Sequence, residues 1–354
     1  MTRKAVSQVV GCVLALGVTL ALASCSDPGT TGTPTPTVTP TEATAAATPT
    51  TPVATELPVA PTPTVSITAS ASLDAITVSG AYGEAPTVTV PSPWAIDATR
   101  TKVLVQGDGA TVPDTGIVEM NYYGVNARTG TLFDESFSSG SSVAMSLAGT
   151  IPGFQKGLAG QQVGSRVLIA IPGADGYDAN GGQSSAGIEV GDTLVFVVDI
   201  VKTSVTEPTG AAQEVSDASL PTVTGDLNAP VVTIPSKQDP PAASVTQLLV
   251  KGDGPVVQAT DAVYVNYAEY VWKSGKLIRK TYGYTPMQGL LSATLPGWQS
   301  ALVGQTIGSR VMLVLTPADS YPDGNPKMGI DAGSTMVYVV DVLFAGPQWW
   351  STSS

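Results

Sequence analysis

Asp175, Asp178 and Asn180 stand close together ahead of Gly181-Gly182, and Asp319, Asp323 and Asn325 repeat the cluster further along the chain. Oxygen-rich loops of this kind can hold calcium. The spacing misses the Asp-x-Asp-x-Asp-Gly pattern, so both clusters read as solvated loops and no metal site is expected. Other chemistry-bearing residue types are scarce. The 354 residues contain no histidine, which removes Ser-His-Asp and Cys-His nucleophile systems, His-ligated zinc and any histidine base. Two cysteines, Cys12 and Cys25, cannot supply a disulfide framework or a Cys-rich metal site. Lys and Arg number 16 against 28 Asp and Glu, a formal charge of −12. That balance argues against gripping a phosphate backbone, so no nucleic-acid partner is expected. No cofactor is expected either. The remaining chemistry must need neither nucleophile nor metal.

The elements that would position such chemistry come in a repeat. Hydrophobic residues make up 43% of the chain, enough to bury cores, and the length leaves room for two domains at roughly 100–200 residues each. Leu104-Val105-Gln106-Gly107-Asp108-Gly109 returns as Leu249-Val250-Lys251-Gly252-Asp253-Gly254. Upstream, Ala85–Pro91 has its kin in Ala229–Pro235. Downstream, Gly164-Ser165-Arg166-Val167 becomes Gly308-Ser309-Arg310-Val311, and Thr193–Asp199 matches Thr335–Asp341. A period this long is a duplicated domain, not a solenoid. The expected modules span 66–206 and 220–346, with a polar linker over 207–219 and a tail over 347–354 that holds the unexplained pair Trp349-Trp350. Within each module strands dominate. Val118, Met120 and Tyr122 alternate with Glu119, Asn121 and Tyr123, the period of a half-buried strand. Arg166–Ile171 and Leu194–Val201 are near-continuous apolar runs, as in central strands. Pro152–Leu158 is the one convincing helix, short and opened by proline. The fold class is therefore α+β.

The chain opens differently. Arg3 and Lys4 precede an apolar run from Val9 to Ala23, too short to span a bilayer comfortably and suited to a signal peptide over residues 1–24. Leu22-Ala23-Ser24-Cys25 resembles the lipobox of bacterial lipoproteins. That resemblance implies a diacylglycerol on the Cys25 thiol and a lipid-anchored protein on the extracytoplasmic face of the cell membrane; the alternative is an ordinary secretory signal. Residues 25–65 are rich in Thr and Pro, with 9 Pro and 14 Thr between Ser26 and Val65. Such a stretch buries too little surface to repay its ordering entropy. Extended at ~3.1 Å per residue, it would reach on the order of 100 Å from the membrane.

Read in order, the first module offers Gly107-Asp108-Gly109, Asn121-Tyr122-Tyr123-Gly124 and Gly130-Thr131-Leu132-Phe133-Asp134-Glu135-Ser136. Ile151–Leu158, Gly164-Ser165-Arg166, Tyr177 and Leu194-Val195-Phe196 follow. This ordered series resembles FKBP-type peptidyl-prolyl cis-trans isomerases, and its repetition makes two FKBP-like domains. The resemblance implies a curled antiparallel β-sheet wrapped around one short α-helix in each. It also implies a proline-binding pocket lined by Tyr122, Phe133, Asp134, Val143, Ile151, Phe154, Tyr177, Ile188 and Phe196. Phe154 would be the floor, where most of the family has Trp. Phe133 and Phe196 would be walls, and the Ile151 N–H and Tyr177 hydroxyl would hold peptide carbonyls. Asp134, bonded by Tyr122, would place negative charge beside the twisting amide. In the second module Tyr267, Leu295, Trp298, Tyr321 and Tyr338 keep the shell. Leu277-Ile278-Arg279-Lys280, however, stands where the first reads Leu132-Phe133-Asp134-Glu135. A cation there would reverse the field, so this pocket is expected to bind peptides at best.

The implied function is isomerisation of X-Pro bonds by a monomer that assists folding of proline-containing exported polypeptides. A non-catalytic proline-peptide binder or holdase is the competing reading, and a surface spacer a third. Isomerisation suits the composition, because it crosses a barrier of ~18–20 kcal/mol without breaking a bond.

Overall fold

In the computed structural model, residues 67–350 are described. The segments expected to be a signal peptide and a tether, with Cys25, and the last four residues lie outside them. The first module comprises β1 (Thr77–Ser79), β2 (Thr87–Thr89), β3 (Arg100–Val105), β4 (Ile117–Asn126), β5 (Thr131–Glu135), β6 (Val143–Ser146), α1 (Pro152–Leu158), β7 (Arg166–Ile171) and β8 (Leu194–Thr203). The second comprises β9 (Ala211–Ala212), β10 (Thr222–Asp226), β11 (Ala229–Thr233), β12 (Val245–Lys251), β13 (Ala262–Val271), β14 (Leu277–Lys280), β15 (Met287–Leu290), α2 (Pro296–Leu302), β16 (Arg310–Leu315) and β17 (Met336–Gly346). The first sheet runs β3-β7-β8-β4-β5, with β6 also on β4. The second runs β14-β13-β17-β16-β12-β9, with β15 on β13. Every pairing in both sheets is antiparallel. Ala211–Ala212, inside the segment read as linker, adds an edge strand to the second sheet.

Each sheet curls around its helix. Phe154 and Leu158 of α1 pack on Ile169 and Ile171 of β7 in one buried cluster. Two glycines set how closely helix and sheet approach. A Cβ on Gly153 would fall 2.2 Å from a methyl of Ile171, and one on Gly157 would fall 2.7 Å from Ile169. The proline at the helix start supplies a φ already suited to the first turn.

The opposite face of each sheet is also covered, which the sequence reading did not foresee. Leu73, Ile76, Trp94 and Ile96, with the β1–β2 hairpin, close over Leu168, Ala170, Val195 and Val197. In the second module the β10–β11 hairpin packs Val223 and Val232 near Trp272, Met312 and Val337. This cover explains why β7 and β8 are apolar on both faces. It also corrects the half-buried reading of β4, whose residues from Ile117 to Met120 are all buried. Glu119, expected to face solvent, instead accepts from Ser142 and lies 2.9 Å from the Lys202 ammonium. Ile117 and Ala144 join the cluster that contains Phe344 and Ala345 of the second module.

One buried ion pair fastens each covering hairpin. Arg166 donates to Asp199 from Nε at 2.6 Å and from Nη2 at 2.7 Å, and both side chains are 1% exposed. Two further guanidinium protons reach the Gly80 and Glu84 carbonyls, while the Gly83 N–H donates to Asp199. Arg310 and Asp341 repeat the pair at 2.6 and 2.7 Å, with Arg310 also donating to the Leu227 carbonyl. Hydrogen bonds beyond the carboxylate are what make such a buried pair tolerable.

Candidate active site

The sequence-selected residues converge on the concave side of the first sheet. Tyr122 comes from β4, Phe133 and Asp134 from β5, Val143 from β6, and Phe196 from β8. Ile151 caps α1 and Phe154 sits in its first turn; Tyr177 and Ile188 arrive on the long loop between β7 and β8. All but Asp134 belong to one apolar cluster. Phe196 is its centre. Its ring lies 4.6 Å from Phe154, 5.5 Å from Phe133 at 86°, and 6.4 Å from Tyr122 at 61°. These are the tilted and edge-to-face contacts that aromatic quadrupoles favour.

The polar groups are few and aimed. The Tyr122 hydroxyl donates to Asp134 Oδ2 at 2.6 Å. Burial pushes the Asp134 carboxyl above its ordinary range, and the Tyr122 bond opposes that rise. Burial likewise raises the Tyr177 hydroxyl to about 12, with the Asp134 charge adding to it. Tyr122 is driven up by burial first and by Asp134 second. Both phenols therefore stay protonated donors at neutral pH. Among the described residues neither the Tyr177 hydroxyl nor the Ile151 N–H donates to any group. The pocket thus holds an apolar slot, a carboxylate at its side and two unspent donors.

The acidic clusters read as solvated loops turn out to be structural ties. Asp175 pairs with Lys156 at 2.6 Å and accepts from Thr99, and Asp178 accepts from the Gly191 N–H at 2.7 Å. Asp319 accepts from Ser244. Among the described residues no group of three His, Cys, Asp or Glu is placed to hold a metal ion.

Gly124 is a pocket residue that sequence reasoning quoted without a role. It pairs with Asp134 across β4–β5, and a Cβ there would meet Phe133 at 2.8 Å and Phe196 at 2.9 Å. Only a bare backbone lets the two walls close. In the second module the same position is Glu269, paired with Arg279. That substitution overturns the expected field reversal. Glu269 is fully buried and accepts from Arg279 Nε at 2.9 Å, from the Tyr338 hydroxyl at 2.8 Å and from the Tyr321 hydroxyl at 3.1 Å. The carboxylate has crossed from one strand of the hairpin to the other, and the cation neutralises it. Aligning the two copies, Asn121-Tyr122-Tyr123-Gly124 against Asn266-Tyr267-Ala268-Glu269, carried the signal: a carboxylate in an apolar strand needs a partner.

The second pocket keeps its aromatic shell. Trp298 meets Tyr267 at 5.3 Å and 84°, and Tyr338 at 5.5 Å and 87°. Tyr321 and Leu295 pack against the same cluster. Arg279 lies over the Tyr267 ring at 5.6 Å. The Tyr321 hydroxyl, unlike that of Tyr177, is already committed. Trp349 packs on Tyr264 and Phe344 and donates to Gln288 at 3.0 Å, which accounts for half of the terminal tryptophan pair.

Comparison with known proteins agrees with this geometry. The family model described as FKBP-type peptidyl-prolyl cis-trans isomerase matches residues 109–201 and again 254–343. A probable FK506-binding protein of Corynebacterium glutamicum is 34% identical over 118 residues, covering 33% of this chain and 98% of the relative. An FK506-binding protein of Streptomyces anulatus is 32% identical over 121 residues, covering 33% and 97%. The crystal structure of the three FKBP domains of wheat FKBP73 aligns with 71% of this chain and 96% of its own, at 16% identity and a TM-score of 0.32. Two matches of the family model, each falling on a curled sheet with one helix and an aromatic pocket, mean that the chain belongs to the FKBP-type peptidyl-prolyl cis-trans isomerases, with two domains in tandem.

Proposed function

We propose that the protein isomerises X-Pro bonds in exported polypeptides at the outer face of a membrane, and that turnover takes place in the first pocket. Peptidyl-prolyl cis-trans isomerisation and assistance to folding are the activity of the family. The site and the place are the further step. An X-Pro amide twisted out of plane loses resonance, so its carbonyl becomes less polar and its nitrogen more basic. A dry slot between Phe133, Phe154 and Phe196 favours that species over the flat, well-solvated amide. The Ile151 N–H and Tyr177 hydroxyl hold the flanking carbonyls, and Asp134 sets negative charge beside the rotating bond. The outer-face location is supported by the likeness of Leu22–Cys25 to a lipobox and by the Thr/Pro-rich segment that follows.

The carrying observation is the contrast between the two tyrosines. The Tyr177 hydroxyl is unspent, whereas Tyr321 donates to Glu269. A protease-coupled isomerisation assay on the full chain tests this. Tyr177→Phe should lower kcat/KM about ten-fold, the loss of one hydrogen bond made in the transition state. Tyr321→Phe should leave it unchanged. The reverse result would place turnover in the second pocket, equal rates in parent and both variants would overturn the tyrosine argument, and no turnover by the parent itself would favour a binder without catalysis.

A further inference from the structure

The β13–β14 hairpin carries a charge pattern opposite to its counterpart. In the first module that hairpin presents Asp134 and Glu135, and its one cation, Arg128, is bound by Asp192 at 2.7 Å and Glu189 at 3.1 Å. In the second, Lys273, Lys276, Arg279 and Lys280 fall within eight residues with no carboxylate among them. That is a quarter of the cations of a chain whose formal charge is −12. All four are exposed. Lys273 takes the place of Arg128, but Ser334 stands where Asp192 would clamp it, as the repeat Asp192-Thr193-Leu194 and Ser334-Thr335-Met336 shows. Among the described residues none of these three lysines pairs with a carboxylate, and Arg279 is engaged through Nε alone.

Arg279 ties this patch to the pocket. Its side chain is 53% exposed, with Nε on buried Glu269 and the guanidinium over Tyr267, so it joins the aromatic shell to the solvent. The floor carries an unspent donor as well: Trp298 Nε1 is buried without an acceptor among the described residues. A cationic rim over an aromatic floor with a free N–H suits an extended chain that brings carboxylates to the rim and an apolar residue into the slot.

We infer that the second module is a docking site for acidic, proline-containing polypeptide segments. This rests on the reading that the second pocket binds without turnover. Its occupant is a peptide and not a lipid surface because one of the clustered cations, Arg279, lies on the aromatic shell, whose Trp298 keeps an unspent hydrogen-bond donor. The two modules then divide a client: acidic segments are held by the second while neutral X-Pro bonds turn over in the first, whose own rim repels carboxylates.

The test uses the full chain and fluorescence anisotropy of a labelled peptide alternating Glu and Pro, beside its Gln–Pro counterpart. The acidic peptide should bind about ten-fold more tightly at low ionic strength, the sum of a few exposed ion pairs, and the preference should shrink as salt rises. The triple variant Lys273→Glu, Lys276→Glu, Lys280→Glu should erase the preference while unfolding as cooperatively as the parent. Lys237→Glu, elsewhere on the same module, should keep it. Equal affinity for the two peptides, or a preference that survives the triple reversal, overturns the proposal. So does capture of anionic phosphatidylglycerol vesicles through these lysines with no preference between peptides, which would make the patch a membrane contact. Asp134→Asn keeps the two readings apart: it should abolish most turnover and leave the acidic preference intact. Turnover retained in that variant counts against the first pocket alone.

Discussion

Gly124→Ala is the smallest change that tests whether the packing of the first pocket is the source of its activity. The added methyl would fall 2.8 Å from Phe133 Cζ and 2.9 Å from Phe196 Cε1. Ordinary contact between carbons begins near ~3.5 Å, so the rings must retreat by about 0.7 Å. Phe196 has little room to do so, because the Phe154 ring lies 4.6 Å from it and β8 is buried from Leu194 to Ile200. Overpacking of this kind costs ~1–3 kcal/mol of stability. The cost to catalysis is of similar origin, since the walls that should press on the twisted amide are the groups displaced. A loss of ~1.4–2.7 kcal/mol in the transition state corresponds to about ten- to hundred-fold in kcat/KM. The assay is protease-coupled isomerisation of a proline tetrapeptide by the full chain, with thermal unfolding of the same variant to show that it remains folded. A folded variant with an unchanged rate would refute the reasoning, because the Phe133–Phe196 gap would then be a matter of packing alone.

Asp134→Asn should lower kcat/KM about ten-fold, since a unit charge some 4 Å from a partial charge of about a third contributes ~1.4 kcal/mol at an effective dielectric near 20. The same variant should be no less stable than the parent. Burial raises the Asp134 carboxyl in the folded state, so the parent binds that proton more tightly folded than unfolded and loses stability as pH rises through the raised value. The variant should therefore melt higher at neutral pH, and the gap should close as pH falls towards the unfolded carboxyl value of ~3.9. Arg166→Met leaves Asp199 buried without its cation and should cost about 3–5 kcal/mol, with the β1–β2 hairpin becoming sensitive to limited proteolysis; an unchanged melting temperature would contradict the clamp. Cys25→Ala should release the protein into the medium or leave the precursor uncleaved, and retention in the membrane fraction equal to the parent would contradict lipidation.

The architecture was legible where one interaction dominates a residue's placement. Pro152–Leu158 is a helix because proline opens it and glycines let it approach the sheet, and β7 and β8 read as central strands because each carries a near-continuous apolar run. The residues that cluster on the concave side of the first sheet could be picked out together because motifs in series carry far more weight than any single one. What escaped were features made by pairs of distant residues. Nothing local in Gly164-Ser165-Arg166 or in Thr193–Asp199 announces that Arg166 and Asp199 meet, although both recur in the second copy. The covering hairpins escaped for the same reason: Thr87–Thr89 is too short to read as a strand until it lies on Leu168 and Val197. Glu119 was misread because alternation indicates which face a side chain points to, but not whether that face meets water.

The second pocket shows why a substitution at one position cannot be read alone. Arg279 in place of Asp134 suggests a reversed field, and the inference fails because Gly124 has changed with it. The two positions face each other across the hairpin, so a carboxylate entering from β13 lies within reach of the guanidinium from β14. Glu269 also needs room, and it finds it because Ile278 replaces Phe133 and a tyrosine replaces Phe196, turning a wall into a hydrogen-bond donor. Four positions thus change together, and a carboxylate entering alone at Gly124 would meet Phe133 and Phe196 and find no cation. The scaffold beneath does not change: the Arg–Asp clamp, the proline-opened helix and the antiparallel sheet recur in both copies. A rigid frame whose concave face accepts either a carboxylate beside an apolar slot or a neutralised pair beneath a basic rim can hold two recognition chemistries in one chain.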